Sequence, residues 1–389
     1  MVPAPFRALF SCARIMKKQT LQGPLPSDRE VYQTTFRIAW PSIVESILVA
    51  LISAVDTMMV GGIGPEAITA VGITGQPRMI LIAVIMSLNV GVTAVVARRK
   101  GADDLDGANR CLKQCVMLSI GCSLVLSVLG LACARPLMIF AGAQPEIVDT
   151  ATGYFRLLMV GAFFSNVGLT INAAQRGVGN TRISMTTNLA ANGVNLVFNY
   201  FLINGIWFFP RLEVYGAGIA TVMGNIVAML MALRSVWKKN PFLDLSGRHP
   251  WRFDKRTMSS VFSVSSSAMV EQVFMRIGFF TYAKTVASLG TIPFAAHQIC
   301  MNLINFSFAV GDGFSIASSS LVGQNLGAKR PDLAILYVRV IQRVAAICAV
   351  AIFFFFLLAR TPLLMLYTSD AQVIELGQSI MIILALSVL

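Results

Sequence analysis

The chain is 389 residues long, 56% hydrophobic and only 13% charged, with a mean hydropathy of +0.72 and a formal net charge of +13. Soluble domains carry about 25% charged residues, so a disordered, collagenous or ordinary cytosolic protein is excluded. At about 20 residues per span plus short loops, the length holds roughly ten to fourteen transmembrane helices.

Residues 1–36 are polar and basic. Arg7 and Arg14 interrupt the stretch Phe6–Met16, which makes it a poor signal-peptide core and predicts a cytoplasmic tail. Met16-Lys17-Lys18 offers a second candidate start. Apolar runs then follow at 37–60, 79–97, 115–140, 153–175, 184–209, 215–237, 259–288, 294–322, 335–359 and 372–389. They are near-continuously apolar, which excludes the short alternating strands of a membrane barrel. Helices are required because hydrocarbon offers no outside partner for a backbone N–H or C=O. The fold class is therefore an all-α polytopic membrane protein. The seven cysteines lie mostly in apolar segments without C-x-x-C spacing and read as buried small hydrophobes.

Lys and Arg set the expected topology. Arg98, Arg99, Lys100, Arg110 and Lys113 follow the second span, and Arg176 and Arg182 follow the fourth. The connection after the sixth holds Arg234, Lys238, Lys239, Arg248, Arg252, Lys255 and Arg256, and Lys329 and Arg330 follow the eighth. The connection 141–151 has Glu146 and Asp149 but no cation. Even-numbered connections and the N-terminus are thus expected inside a cell (inner) membrane. The +13 is a positive-inside signature favouring membrane lipid as partner and no nucleic acid.

The chain repeats itself in one constant register. Gly64 aligns with Gly290, Gly101-Ala102 with Gly327-Ala328, Asp106 with Asp332, Pro136-Leu137 with Pro362-Leu363, and Glu45 with Glu271. Six spans per unit place both halves in the same orientation, a parallel duplication about an axis along the membrane normal. The expected division is a tail (1–36), a first six-helix lobe (37–237), an inter-lobe loop (238–258) and a second lobe (259–389). In this register the second lobe is cut in its fourth helix, the pattern of a C-terminally truncated twelve-helix transporter.

Val55-Asp56-Thr57 followed by Val60-Gly61-Gly62-Ile63-Gly64 and Ala70-Val71-Gly72 resembles the opening motif of the multidrug and toxic compound extrusion (MATE) family. Ala295-Ala296-His297-Gln298-Ile299, the loop Gly323-Gln324-Asn325-Leu326-Gly327-Ala328, and the loop Arg176-Gly177-Val178-Gly179-Asn180-Thr181-Arg182 resemble further motifs of that family. The resemblance implies two six-helix lobes and export of amphipathic, often cationic drugs or metabolites in exchange for H⁺ or Na⁺. It implies no other cofactor, no catalytic residue and no bound metal centre. A lipid-linked saccharide flippase of the wider superfamily is the nearest rival, with Arg78, Arg276 and Lys284 as its candidate cationic lining. A polytopic membrane transferase is a third reading, for which the short outer loops supply no clustered acids.

Each ionisable residue within a span needs a partner or a function. Asp56 reads either as a water-exposed helix end or as a proton- or cation-binding carboxylate. Asn188, Asn192, Asn195 and Asn199 are spaced by four, three and four positions, on one face of the fifth span. That face reads as interhelical glue or as a cavity lining beside Asp56, with Asn195 and Asn199 in the ion site and Asn188 and Asn192 towards substrate. Some relatives carry an acid where Asn199 stands. Glu271 resembles the embedded acid of Na⁺-linked relatives, with Gln272 beside it and Arg276 as a possible neutralising partner. Asp312, flanked by Gly311 and Gly313, reads as a helix bend or a coupling group. His249 and His297 are too far apart in topology for a metal cluster or triad.

Overall fold

The computed structural model describes residues 23–388 except 25, 62, 64, 207–208, 238–241, 247–250, 252, 288–290, 366 and 368–370. Gly64, Gly290, Lys238, Lys239, Arg248, His249 and Arg252 therefore lie outside the described residues, as do the tail positions 1–22. The described residues form eleven helices and no strand: α1 Asp28–Gly61, α2 Pro65–Gly101, α3 Leu105–Ala132, α4 Ala134–Phe140, α5 Val148–Gly177, α6 Thr181–Asn204, α7 Glu213–Trp237, α8 Lys255–Ala287, α9 Thr291–Gly327, α10 Pro331–Met365 and α11 Ala371–Ser387. Every apolar run of the sequence is largely helical among the described residues. One run breaks: 115–140 divides at Cys133, which ends α3 and begins α4 with φ −95° and ψ 10°. Pro136, which cannot donate a backbone hydrogen bond, sits in the first turn of α4, where no intrahelical donor is needed.

Seven of these helices are long and apolar enough to cross a membrane by themselves. The other long ones, α6 and α8, fall short because of their Asn and Ser side chains. Such helices are held in a membrane by neighbours that satisfy those groups. For α6 the neighbours are α7 and α1; α8 leans on α2 across the seam between the halves.

The connections at the end of the helices rich in Lys and Arg are built alike. Asp103 N–H donates to Lys100 O at 3.1 Å and Asp104 N–H to Arg99 O at 3.0 Å. In the second half, Lys329 N–H to Leu326 O (3.2 Å) and Arg330 N–H to Asn325 O (2.9 Å) are the same bonds at the equivalent positions of the repeat. Gly179 and Asn180 close α5 in the same way. In each case the residue past the helix is left-handed: Asp103 at φ 53°, Gly179 at φ 86°, Lys329 at φ 57°. These are helix-terminating Schellman turns, which satisfy the last orphan carbonyls.

Asp104 then caps α3, accepting from Gly107 N–H at 2.8 Å and from Arg99 Nη1 at 2.6 Å. Partial burial pushes the Asp104 carboxyl up, but the Gly107 N–H and the Arg99 guanidinium outweigh it and hold it below the ordinary range. A depressed folded-state pKa means that this stabilisation is complete above the unfolded value and lost as pH falls through the folded one. Asp104→Ala is expected to cost about 1 kcal/mol at neutral pH. Unfolding curves of both proteins at neutral and strongly acidic pH check this: the gap should close in acid, and a constant gap would exclude the carboxylate as its source.

The two halves meet most closely at this same end. A Cβ placed on Gly101 would overlap the carbonyl of Gln324, and one on Gly327 would overlap the carbonyl of Arg98. The two contacts are the same contact exchanged, because the repeat pairs Gly101 with Gly327 and Arg98 with Gln324. Reciprocity of this kind is the mark of a two-fold relation. Gln324 Nε2 also donates to Gly177 O at 2.9 Å, and the Gly313 backbone lies against Ile43. One of the buried clusters lies on the seam, where Val31, Ile38 and Ala39 of α1 pack with Phe314 and Leu321 of α9 and with Tyr337 and Val340 of α10. Gly101→Ala and Gly327→Ala should each destabilise by about 1–3 kcal/mol through overpacking. Thermal unfolding in detergent measures it, and unchanged melting of both variants would contradict this seam.

Candidate functional site

Helices α1 and α6 run side by side in a constant register. Thr181 Oγ1 donates to Ile38 O at 3.0 Å, Asn188 Nδ2 donates to Glu45 Oε1, and Asn199 Nδ2 donates to Asp56 Oδ1 at 2.6 Å. Each pair is separated by the same 143 positions of sequence. From position 38 to position 56, α1 makes about five full turns, so one face of α1 meets one face of α6 throughout. That face carries two carboxylates, about 16 Å apart along the axis.

At the upper carboxylate, Asp56 is half-buried, and Asn195 and Asn199 are buried. Thr221 N–H can only donate, and an ionised Asp56 can only accept, which orients the Asn195 amide. Its Oδ1 takes Thr221 N–H at 3.1 Å and its Nδ2 donates to Asp56 Oδ2 and Oδ1 at 2.9 and 3.0 Å. Asn199 Oδ1, also buried, has no hydrogen-bond partner among the described residues. Tyr154 of α5 is buried close enough to Asp56 and to Arg78 of α2 to feel both charges. Helices α1, α6 and α7 therefore meet at one carboxylate, with Tyr154 of α5 within electrostatic reach. An acid held by amide donors beside an oxygen with no donor is able to take a proton or a small hard cation in place of the missing partner.

The sequence marks the lower carboxylate only as the repeat partner of Glu271. Glu45 is 6% exposed and makes an ion pair with Arg176 Nη2 at 2.5 Å. Ser184 Oγ donates to the same Oε1 at 3.0 Å and accepts from Arg176 Nε at 2.9 Å. Arg176 also lies within electrostatic reach of Asp312 on α9. The sequence signal is present in two pieces, a glutamate inside a span and an arginine in the loop after α5; their meeting depends on the α1–α6 register.

The predicted asparagine row is thus divided. Asn195 and Asn199 serve Asp56, whereas Asn188 serves Glu45 rather than joining a lining with them. Asn192 is half-buried and makes no hydrogen bond to a described residue. Glu271 is exposed on α8 and, among the described residues, forms neither an ion pair with Arg276 nor a hydrogen bond. Gln272 is half-buried and makes no hydrogen bond there either. Arg276 Nη2 reaches instead to Met79 Sδ on α2 at 3.9 Å. The structure does not bring Glu271 or Gln272 to Asp56. His297 packs edge-on against Tyr282 at 4.9 Å.

A bundle of membrane-crossing helices with buried carboxylates and reciprocal halves defines the class: a polytopic membrane transport protein. The MatE family model matches residues 41–201 and 267–389, two segments that begin at equivalent positions of the repeat, Pro41 and Ser267. The probable multidrug resistance protein NorM of Thermotoga maritima is 24% identical over 365 residues, covering 93% of this chain and 78% of that one. The DNA damage-inducible protein F of Escherichia coli is 23% identical over 351 residues, covering 89% and 75%. Among solved structures, a mutant of the Vibrio cholerae MATE transporter VcmN superposes with a TM-score of 0.85 at 20% identity, covering 92% of this chain and 81% of that one. An outward-facing multidrug resistance MATE transporter gives a TM-score of 0.85 at 22% identity, covering 92% and 80%. The chain belongs to the MatE family of multi-pass membrane transporters, and it is not an enzyme.

Proposed function

We propose that the protein is an antiporter that exports amphipathic or cationic drugs and toxic metabolites, driven by H⁺ or Na⁺ bound at Asp56. The observation that carries this reading is the carboxylate of Asp56 between two amide donors, beside the buried Asn199 Oδ1, to which no described residue donates. The names of the relatives support the drug class. The lysine- and arginine-rich connections support an N-terminus on the cytoplasmic side of the cell membrane. With that topology, the Gly101–Gln324 and Gly327–Arg98 crossings close the cytoplasmic end, the arrangement that opens outward. The first lobe (37–237) and the second (259–389), joined by 238–258, rock about that seam. Ion binding at Asp56 and substrate binding each favour one arrangement, which couples them.

Everted membrane vesicles expressing the protein test it. Uptake of a fluorescent cationic dye should follow an imposed pH or Na⁺ gradient and collapse when that gradient is dissipated. Dye accumulation indifferent to both gradients would refute the proposal.

A further inference from the structure

A groove of about 900 Å³ opens away from Asp56, at the cationic end of the helices and on the seam between the halves. One wall is α1, where Tyr32, Phe36 and Trp40 recur at every fourth position, 40%, 58% and 54% exposed, with Phe36 and Trp40 stacked at 5.6 Å. Phe314 of α9 and Val344 of α10 form the opposite wall. Two exposed guanidiniums border it, Arg37 of α1 and Arg182 of α6. Among the described residues neither makes a salt bridge or a side-chain hydrogen bond.

We propose that this groove is a binding site for one acidic glycerophospholipid, with the phosphate diester on Arg37 and Arg182 and an acyl chain along Tyr32, Phe36 and Trp40. Three observations select that occupant. The groove lies in the first half of the span 29–52, at the end of the helices where Arg and Lys gather, the depth at which Trp and Tyr meet lipid headgroups. Guanidinium pairs bind phosphate oxygens in bidentate fashion, and a phosphodiester between two of them is neutralised. The same charges repel a cationic drug, so the groove is not an entrance for the exported substrate proposed above. They also disfavour the chain's own N-terminal tail, positions 1–22, which contains Arg7, Arg14, Lys17 and Lys18 and no acid. Since α1 and α6 come from one half and α9 and α10 from the other, a lipid seated there touches both.

The test uses purified protein in detergent, titrated with phosphatidylglycerol, phosphatidylcholine or sodium phosphate. Bound lipid is counted by native mass spectrometry, and its place is read from quenching of Trp40 by brominated phosphatidylglycerol, taken as the difference from Trp40→Phe. One phosphatidylglycerol should be retained at concentrations about tenfold below those needed for phosphatidylcholine, which shares the phosphodiester but carries a choline cation that the two guanidiniums repel. The double variant Arg37→Gln, Arg182→Gln should erase that preference, and Arg37→Lys, Arg182→Lys should keep most of it. Equal retention of the two lipids, an unaltered preference in the glutamine variant, or no quenching assigned to Trp40 would overturn the proposal. Displacement of the lipid by millimolar phosphate alone, or by tetraphenylphosphonium, would also overturn it by assigning the groove to a free anion or to a drug. Should the glutamine variant not fold, the comparison of lipids on the wild-type chain and the Trp40 signal decide the matter.

Discussion

Asp56→Asn is expected to abolish ion-driven export while leaving the amount and the folding of the protein unchanged. The substitution keeps the volume and the hydrogen bonds to Asn195 and Asn199 within reach, since an amide oxygen still accepts from them. It removes the carboxylate, the one acid among the described residues of the cluster. Without a titrating carboxylate there is no differential affinity for H⁺ or Na⁺ between the two arrangements of the halves, and a ligand without differential affinity shifts no equilibrium. Drug accumulation in cells lacking their own exporters should match the empty-vector control, whereas Asn199→Ala should retain partial export with a weakened response to the ion. Full drug resistance conferred by Asp56→Asn would move the coupling site elsewhere. Glu271→Gln is the matched comparison, because Glu271 is exposed on α8 and without a described partner.

Arg176→Met is expected to have the largest effect on stability. It leaves Glu45, 6% exposed and with no partner at Oε2 among the described residues, as an uncompensated charge among apolar helices. Breaking such a pair from one side costs about 3–5 kcal/mol. Replacing both members, as in Glu45→Leu with Arg176→Met, should restore most of that loss, because the buried charge disappears with its partner. Chemical or thermal unfolding in detergent on the two singles and the double gives the coupling directly. A double variant as unstable as Arg176→Met would show that Glu45 is not the source of the loss.

Hydropathy alone revealed the nine long helices and the shorter α11, because in a membrane the helix is the one local solution for a lone segment. It did not reveal the break at Cys133, where a proline in a following first turn leaves the hydropathy unchanged. The association of Asp56 with Asn195 and Asn199 was legible through spacing: an interval of four places two amides on one face, and a carboxylate in a span needs donors. What spacing could not tell was how far that face runs against α1. The register of α1 against α6 is a tertiary fact, and it hands Asn188 to Glu45 rather than to the Asp56 cluster. Thr221 and Tyr154 carried no signal at all, since a threonine and a tyrosine in apolar helices are ordinary. The repeat, by contrast, was written in glycines and reappears as the exchanged Gly101–Gln324 and Gly327–Arg98 crossings.

Ion release on substrate binding tests the Asp56 site most directly. Purified protein in weakly buffered detergent, loaded at acidic pH or with Na⁺, is mixed with a cationic substrate, and the released H⁺ or Na⁺ is read with an electrode. The wild-type chain and Glu271→Gln should each release the ion in proportion to bound substrate, and Asp56→Asn should release none while the substrate still binds. Release by Asp56→Asn together with silence from Glu271→Gln would place the coupling carboxylate in the second half and contradict the first-half site.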